Sequence, residues 1–289
     1  MTILIFTSNS GKLVEFQKML KNEINLVGLK ELNELSSNHN VEPIENSDYF
    51  LTNAFIKVFV ALKYIYNNKN IQKFNEIKKI IIDDSGLCVP GLNYLPGVHS
   101  ANYAGYPKDD KKNKLKLADE ILKSSKSFDY ANEKRLSAFF VCFLFEINFN
   151  QINDFEFINN FDFTEASSFV NKNLIENENE LLKKVDLKRV GGFHSISLPF
   201  SMFYKEFPLD IHLNIHYGYC NGEVSSKEQN LISGAGHGYD SQFFSLANKD
   251  LSFASISMEE KNRLSHRAFA MEAFKKKNDF NKSSKNIQQ

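Results

Sequence analysis

Asp83 and Asp84 stand side by side directly after the apolar run Ile80-Ile81-Ile82. Two adjacent carboxylates at a strand end repel each other, and solvent, a nearby cation or a bound metal must offset that cost. Magnesium suits such a pair. It takes one or two carboxylates and fills its other positions with phosphate oxygens and water. One carboxylate would hold the metal while the other orients a water for attack on phosphorus. Ser85 and Gly86 would add a turn and N–H donors. A solvated turn accounts for Asp-Asp-Ser-Gly about equally well, since Asp and Gly are common turn residues.

Two other segments have types suited to the same chemistry. Thr7-Ser8-Asn9-Ser10-Gly11-Lys12 follows the apolar run Ile3–Phe6 and precedes Leu13, Phe16 and Leu20 at helical spacing. A turn that opens a helix directs backbone N–H groups and a positive dipole at a ligand, which favours phosphate, and Lys12 adds a mobile cation. A P-loop is excluded, because Phe6 stands where it needs Gly and Leu13 where it needs Ser or Thr. Taken alone, an ordinary strand–helix turn is the better reading of this segment. Near the C-terminus, Gly236-His237-Gly238-Tyr239-Asp240 reads as a tight loop. Lys261, Arg263, His266 and Arg267 fall on one helix expected from Met258 to about Phe274, capped by Ser257. A basic helix face is more often simply solvated.

The elements that must position these residues alternate in type. Ile3–Phe6 reads as a buried strand and the segment after it as a helix, with Glu15, Lys18 and Lys21 off its apolar face. A second helix is expected from about Tyr49 to Tyr66, capped by Ser47 or Asp48, followed by a loop over 67–75. Ile80–Ile82 forms a strand and 91–105 an irregular loop. Asn113–Lys123 looks helical. Leu136–Ile147 is a near-continuous apolar run, as expected of a central strand buried on both faces. Ile211–Tyr219 alternates and could pair with it. Glu176–Lys188 is a candidate helix within the long Asn- and Phe-rich segment 148–210. Residues 275–289 read as a polar tail. This is an α/β pattern.

Composition narrows the class. The 289 residues carry 35 Lys and Arg against 35 Asp and Glu, a formal net charge of +0. That balance argues against a broad nucleic-acid footprint. The apolar run at 136–145 is too short to span a bilayer, and no basic segment precedes Ile3 as in a signal peptide. Three widely spaced cysteines without metal spacing favour free thiols in a reducing, cytoplasmic setting.

Taken together, the segments resemble the inosine triphosphate pyrophosphatase family. Its opening T-x-N-x-x-K is matched by Thr7, Asn9 and Lys12, and D-D-S-G-L by Asp83–Leu87. P-G-x-x-S-A is matched by Pro96–Ala101, the late G-F-G-Y-D-P by Gly236–Ser241, and E-E-K-x-x-x-S-H-R by Glu259–Arg267. The resemblance covers 1 to about 147 and 211 to about 275. It implies an α/β fold with a long, twisted mixed β-sheet flanked by helices, in two lobes around an active-site cleft. It also implies magnesium-dependent hydrolysis of deaminated purine nucleoside triphosphates (ITP, dITP, XTP) to the monophosphate and pyrophosphate, by a homodimer. By the same resemblance, Asp84 would be the proton acceptor and a metal ligand, with Asp83 beside it. Thr7, Ser8, Asn9, Ser10, Gly11, Lys12, Ser85 and Lys261 would hold the nucleotide. His237, Gly238, Tyr239, Asp240, His266 and Arg267 would surround the base.

Departures from the family pattern define what must be tested. Thr52 stands where the family has a metal-binding Glu, and Asp48, one turn earlier, is the candidate substitute. His237 replaces an aromatic residue, Asn102 an Arg, and Ser241 a Pro. The segment 148–210 has no counterpart in typical members; it would be a surface elaboration, or else a lid or extra dimer contact. The pyrophosphatase domain would thus run over 1–275 with that interruption, followed by the tail 276–289. The alternatives are a diverged, weakly active or inactive nucleotide-binding relative, or a pyrophosphatase with altered base preference.

Overall fold

A computed structural model of the chain describes residues 1–20, 24–36, 41, 47–148, 172–199, 212–229 and 238–278. Ile3–Phe6 begins the architecture as expected. Strand β1 (Thr2–Ile5) runs into a turn, and Asn9 caps helix α1 (Ser10–Met19) by accepting from the Lys12 N–H at 3.2 Å. Strand β2 (Asn25–Gly28) and helix α2 (Leu29–Leu35) follow, then the long helix α3 (Phe50–Asn67) and a short α4 (Gln72–Asn75) inside the expected loop.

The apolar run at 80–82 is the middle of a longer strand, β3 (Ile77–Cys88). Asp83 and Asp84 therefore lie within a strand and not at its end, and Ser85-Gly86 continue it instead of turning. The reason lies downstream: Leu87 and Cys88 are fully buried, and two backbones hold them there, those of β4 (Pro96–Gly97) and β6 (Glu133–Asn148). Gly86 permits the approach of β4, since a Cβ there would lie 2.2 Å from the Gly97 carbonyl oxygen. Helix α5 (Asp110–Lys123) and strand β5 (Phe128–Tyr130) complete this part of the chain.

The remaining described elements are α6 (Lys172–Lys183), β7 (Gly191–Pro199), β8 (His212–Ser225), β9 (Phe243–Ser245), α7 (Met258–Leu264) and α8 (His266–Lys277). The sheet order is β2-β1-β3-β6-β8-β7, with β1 parallel to both neighbours and the other pairs antiparallel. The expected pairing of 136–147 with 211–219 is present as β6 against β8, at the centre of the sheet. Apolar residues of α3 cover one face together with Ile80, Ile82, Phe143 and Phe145. Those of α1 and α8 cover the other, with Ile81, Cys142 and Leu144. Alternation along a strand sends neighbours to opposite faces, so both layers are fed by the same two strands. Part of the segment 148–210 belongs to this body: β7 extends the sheet, and Leu182 and Val185 join the core over α3.

Cys88, Cys142 and Cys220 are buried free thiols, and among the described residues no helix is long and apolar enough to cross a membrane. A buried polar line ties β7 and α8 to the sheet. Ser195 Oγ meets His216 Nδ1 at 2.9 Å, and His216 Nε2 meets Glu146 Oε2 at 2.8 Å. Lys79 and Asn278 also bond that carboxylate. Burial would raise the Glu146 carboxyl, but the bonds from His216 and Lys79 prevail and bring it down to about 2. A carboxyl lowered in the folded state stabilises above its unfolded value and loses that effect as pH falls through the folded one. Glu146 should thus contribute fully above about pH 4.5 and lose roughly 3 kcal/mol between there and pH 2. Urea unfolding of the wild type and Glu146→Gln across that range tests this; equal acid sensitivity of the two proteins would exclude Glu146 as the source.

Candidate active site

Strand alternation decides how the two carboxylates are compensated. Asp83 faces the α1–α8 layer. Lys12 Nζ bonds its Oδ2, the Cys142 thiol donates to Oδ1 at 3.1 Å, and Arg267 Nε lies 3.8 Å from Oδ1. Burial alone would raise its carboxyl, but the charges of Lys12 and Arg267 outweigh burial and hold it well below the usual range. Asp84 faces α3, where Lys57 Nζ sits 2.9 Å from its Oδ1 and 3.4 Å from the Asp83 carbonyl oxygen. The offset for adjacent carboxylates is therefore Lys12 and Arg267 on one face and Lys57 on the other.

A cleft of about 230 Å³ opens on the Asp83 side. The N-terminal turn of α1 brings Asn9, Gly11 and Lys12 to it, and β3 brings Ser85 and Gly86. Thr7 braces the turn by accepting from the Asn9 N–H at 3.2 Å, and Ser8 and Ser10 flank Asn9 on the exposed side. The loop before α5 forms another wall. Its Ser100 accepts from the Leu87 N–H at 2.9 Å and its carbonyl accepts from the Tyr239 hydroxyl at 3.0 Å. Gly238 donates its N–H to Asp110 at 3.2 Å, and Asp240 pairs with Lys261 at 2.6 Å.

The basic cluster is carried by two helices, not by the single one expected. Ser265 adopts an extended conformation, ends α7 and caps α8 by accepting from the Ala268 N–H at 3.2 Å. This break resolves the five-residue spacing of Lys261 and His266, which a continuous helix would set on different faces. Ser257 caps α7 as expected, accepting from Glu260 N at 3.1 Å. Gly218 lets α8 lie directly on β8, where a Cβ would meet the Ala270 nitrogen at 2.1 Å. His266 and Arg267 are thereby held in the first turn of α8, the end that favours anions.

Arg267 Nη2 donates to Ser85 Oγ at 3.0 Å and Nη1 to Glu15 Oε2 at 3.1 Å. Glu15, expected off the buried face of α1, is buried between Arg267 and Lys261. His266 stacks on Phe140, with centroids 4.9 Å apart and planes at 15°. Burial and the neighbouring Arg267 hold its imidazole well below its ordinary pKa. Its Nδ1 has no hydrogen-bond partner among the described residues. The cleft thus combines a neutral ring with an open polar atom, three cations and two helix starts, an arrangement able to hold a polyanion.

Asp48 is displaced from its expected place. Helix α3 starts at Phe50, so the same-face spacing from Asp48 to Thr52 does not apply. The Asp48 side chain is 82% exposed and meets His99 Nε2 at 3.0 Å. Nor does Ser47 or Asp48 cap that helix: its N-cap is Tyr49, which makes no side-chain bond. Thr52 is buried, and its Oγ1 has no partner among the described residues. His237 lies outside the described residues. Lys57 is a further site residue that sequence reasoning missed. Its signal was a single Lys within the apolar run 50–62.

The profile of the Ham1 family matches residues 3–157 and 167–277, leaving 158–166 between the two stretches. A Sulfurovum protein named dITP/XTP pyrophosphatase is 37% identical over 125 residues, 42% of this chain and 53% of that protein. A protein of the same name from Acinetobacter baylyi is 27% identical over 277 residues, covering 95% of this chain and 92% of its own length. Among solved structures, the Staphylococcus aureus Ham1 protein matches with a TM-score of 0.56 at 21% identity, over 97% of this chain and 100% of that one. A HAM1 protein from Coxiella burnetii matches with 0.57 at 23% identity, over 95% and 96%. These structures share the fold.

Proposed function

The chain belongs to the Ham1 family, and from that premise we propose that it hydrolyses deaminated purine nucleoside triphosphates (ITP, dITP, XTP) to the monophosphate and pyrophosphate. The observation that carries this reading is the convergence of Lys12, Lys261 and Arg267 with the starts of α1 and α8 on one cleft beside β3. Backbone N–H groups at helix starts and mobile cations are what a triphosphate needs. Relatives named dITP/XTP pyrophosphatase point the same way.

In this reading a water oxygen attacks the α-phosphorus and the bond to the bridging oxygen breaks. Pyrophosphate leaves, and the proton of the water passes to Asp84; because Asp84 faces α3 and does not line the cleft, this requires the triphosphate to reach past Ser85 and Gly86 to that face of β3. Lys57 pairs with Asp84 and fixes its position against α3. Lys12 can exchange its bond to Asp83 for one to phosphate. A 6-oxo purine rewards a donor at the base and adenine does not, which makes Arg267 the group to discriminate them.

Asp84 is the carboxylate this reading offers to magnesium, and its Oδ1 meets Lys57 Nζ at 2.9 Å. Among the described residues no three His, Cys, Asp or Glu side chains form a group that could hold a metal by themselves. Asp84 would therefore hold the ion together with substrate oxygens, the ligand mixture magnesium prefers. When bound, it would neutralise the phosphates and polarise the phosphorus.

Pyrophosphate release from ITP, dITP, XTP, GTP, ATP and dTTP, with and without magnesium, tests the proposal. The expected result is metal-dependent release at least tenfold faster from ITP, dITP and XTP than from ATP and dTTP. The buried, partnerless Thr52 hydroxyl favours a second reading, a relative that binds nucleotide and scarcely turns it over. Tight nucleotide binding with no release by folded protein would select that one.

A further inference from the structure

A carboxylate stands directly behind the cations of the cleft. Asp83 is buried and does not line the cleft, whereas Lys12, Ser85 and Arg267 do. Its Oδ2 accepts from Lys12, and from Ser85 Oγ at 3.4 Å. Arg267 Nε lies 3.8 Å from Oδ1. The sheet adds another donor, the Cys142 thiol, 3.1 Å from Oδ1. Ser85 faces Cys142 and Asp83 faces Leu144 in the β3–β6 register, so Cys142 is the diagonal neighbour of Asp83 on one face of the sheet. Burial, with the Asp83 charge beside it, holds the thiol well above its ordinary pKa, so its proton stays. Lys12 has 25% of its side chain exposed and can swing to a ligand; Cys142, fully buried on a central strand, cannot.

A buried carboxylate is costly unless donors meet it. A polyanion that draws Lys12 away takes one of those donors from Asp83. We propose that Cys142 is a positioning residue for nucleotide binding: its thiol holds Asp83 and thereby sets how readily Lys12 passes from that carboxylate to phosphate. This rests on the reading of the cleft as a triphosphate site and adds to it a residue that touches no substrate. Without the S–H, Asp83 depends more on Lys12, and phosphate must break a stronger pair. Once Lys12 has left, the thiol also remains, beside Arg267 and Ser85, to offset the charge. The rival account is a small apolar side chain that fills the layer of Ile81 and Leu144, the ordinary role of a buried cysteine.

Cys142→Ala separates the two accounts. Binding of inorganic triphosphate, followed by calorimetry, gives a readout independent of turnover. The expected result is about three- to tenfold weaker binding than by the wild type, the effect of one hydrogen bond to a charged group scaled down for a weak thiol donor. KM for ITP should rise by a similar factor with kcat within about twofold, because only ground-state binding is lost. Cys142→Ser restores a donor and should bind within about twofold of the wild type. Asp83→Asn should bind triphosphate at least as tightly as the wild type, and in that background Cys142→Ala should change nothing, because the thiol acts through the carboxylate. A loss that persists there, equal affinity of the wild type and Cys142→Ala, or no triphosphate binding by the wild type overturns the proposal. If Cys142→Ala does not fold, Cys142→Val takes its place: it fills the space, lacks a donor, and must weaken binding likewise. Pyrophosphate release by the wild type together with unaltered triphosphate affinity in Cys142→Ala would reject this inference and leave the hydrolase reading standing. Weakened triphosphate binding by Cys142→Ala with no release from any nucleotide would do the reverse.

Discussion

Asp84→Asn is expected to lower kcat/KM for pyrophosphate release by about 10²- to 10⁴-fold, the range a positioned general base contributes. The substitution keeps shape and retains an oxygen for Lys57, which also reaches the Asp83 carbonyl oxygen. Folding should survive with a loss of about 3 kcal/mol, the low end for breaking a buried ion pair, because the Lys57 ammonium loses its counter-charge but keeps two oxygen acceptors. Nucleotide binding, measured by calorimetry, should change far less than turnover, because the cations of the cleft face the other side of β3. Activity within tenfold of wild type would remove Asp84 as the proton acceptor.

Lys57→Met should be the most damaging single change to stability. Both members of the pair are nearly excluded from solvent, with side-chain exposures of 5% and 11%. Removing the cation takes the counter-charge at 2.9 Å from a nearly buried carboxylate, for which about 3–5 kcal/mol is typical. Removing both charges is different: a buried pair replaced by neutral groups is often close to neutral in stability. The double variant Lys57→Met, Asp84→Asn should thus be more stable than Lys57→Met alone, a coupling that a double-mutant cycle in urea reads directly. Simple additivity of the two losses would show that Lys57 and Asp84 do not depend on each other.

Much of the scaffold was legible because it rests on periodicity. The strands at 2–5, 133–148 and 212–225 and the helices at 10–19 and 50–67 all carry apolar spacing that survives folding. The errors have physical causes. Asp-Asp-Ser-Gly resembles a turn by composition, and only the buried Leu87 and Cys88 beyond it reveal a continuous strand. Once the strand is continuous, alternation separates Asp83 from Asp84. The helix expected over 258–274 has adequate propensity throughout, and the break at Ser265 is a capping choice that periodicity cannot register. Glu15 was read as lying off the apolar face of its helix, and Lys57 was not singled out at all. Their burial comes from Arg267, Lys261 and Asp84, partners far away in sequence. Glu178, whose carboxylate accepts from the Leu51 N–H at 2.8 Å, was hidden for the same reason, since nothing near position 51 announces a cap arriving from position 178.

The bond between Arg267 and Glu15 spans 252 residues, and that separation bears on how the protein comes into being. At roughly 5–20 residues per second of synthesis, Glu15 leaves the ribosome about 10 to 50 seconds ahead of its partner. Through that interval Asp83 and Glu15 exist without the guanidinium that balances them, and Ser85 without its donor. Helix α8 also roofs the Ile81–Cys142–Leu144 face, so that apolar layer waits for the same late arrival. The nascent chain therefore has no finished cleft to offer until α8 emerges, and chaperones that shield apolar surface have the α8 face of the sheet as their natural target.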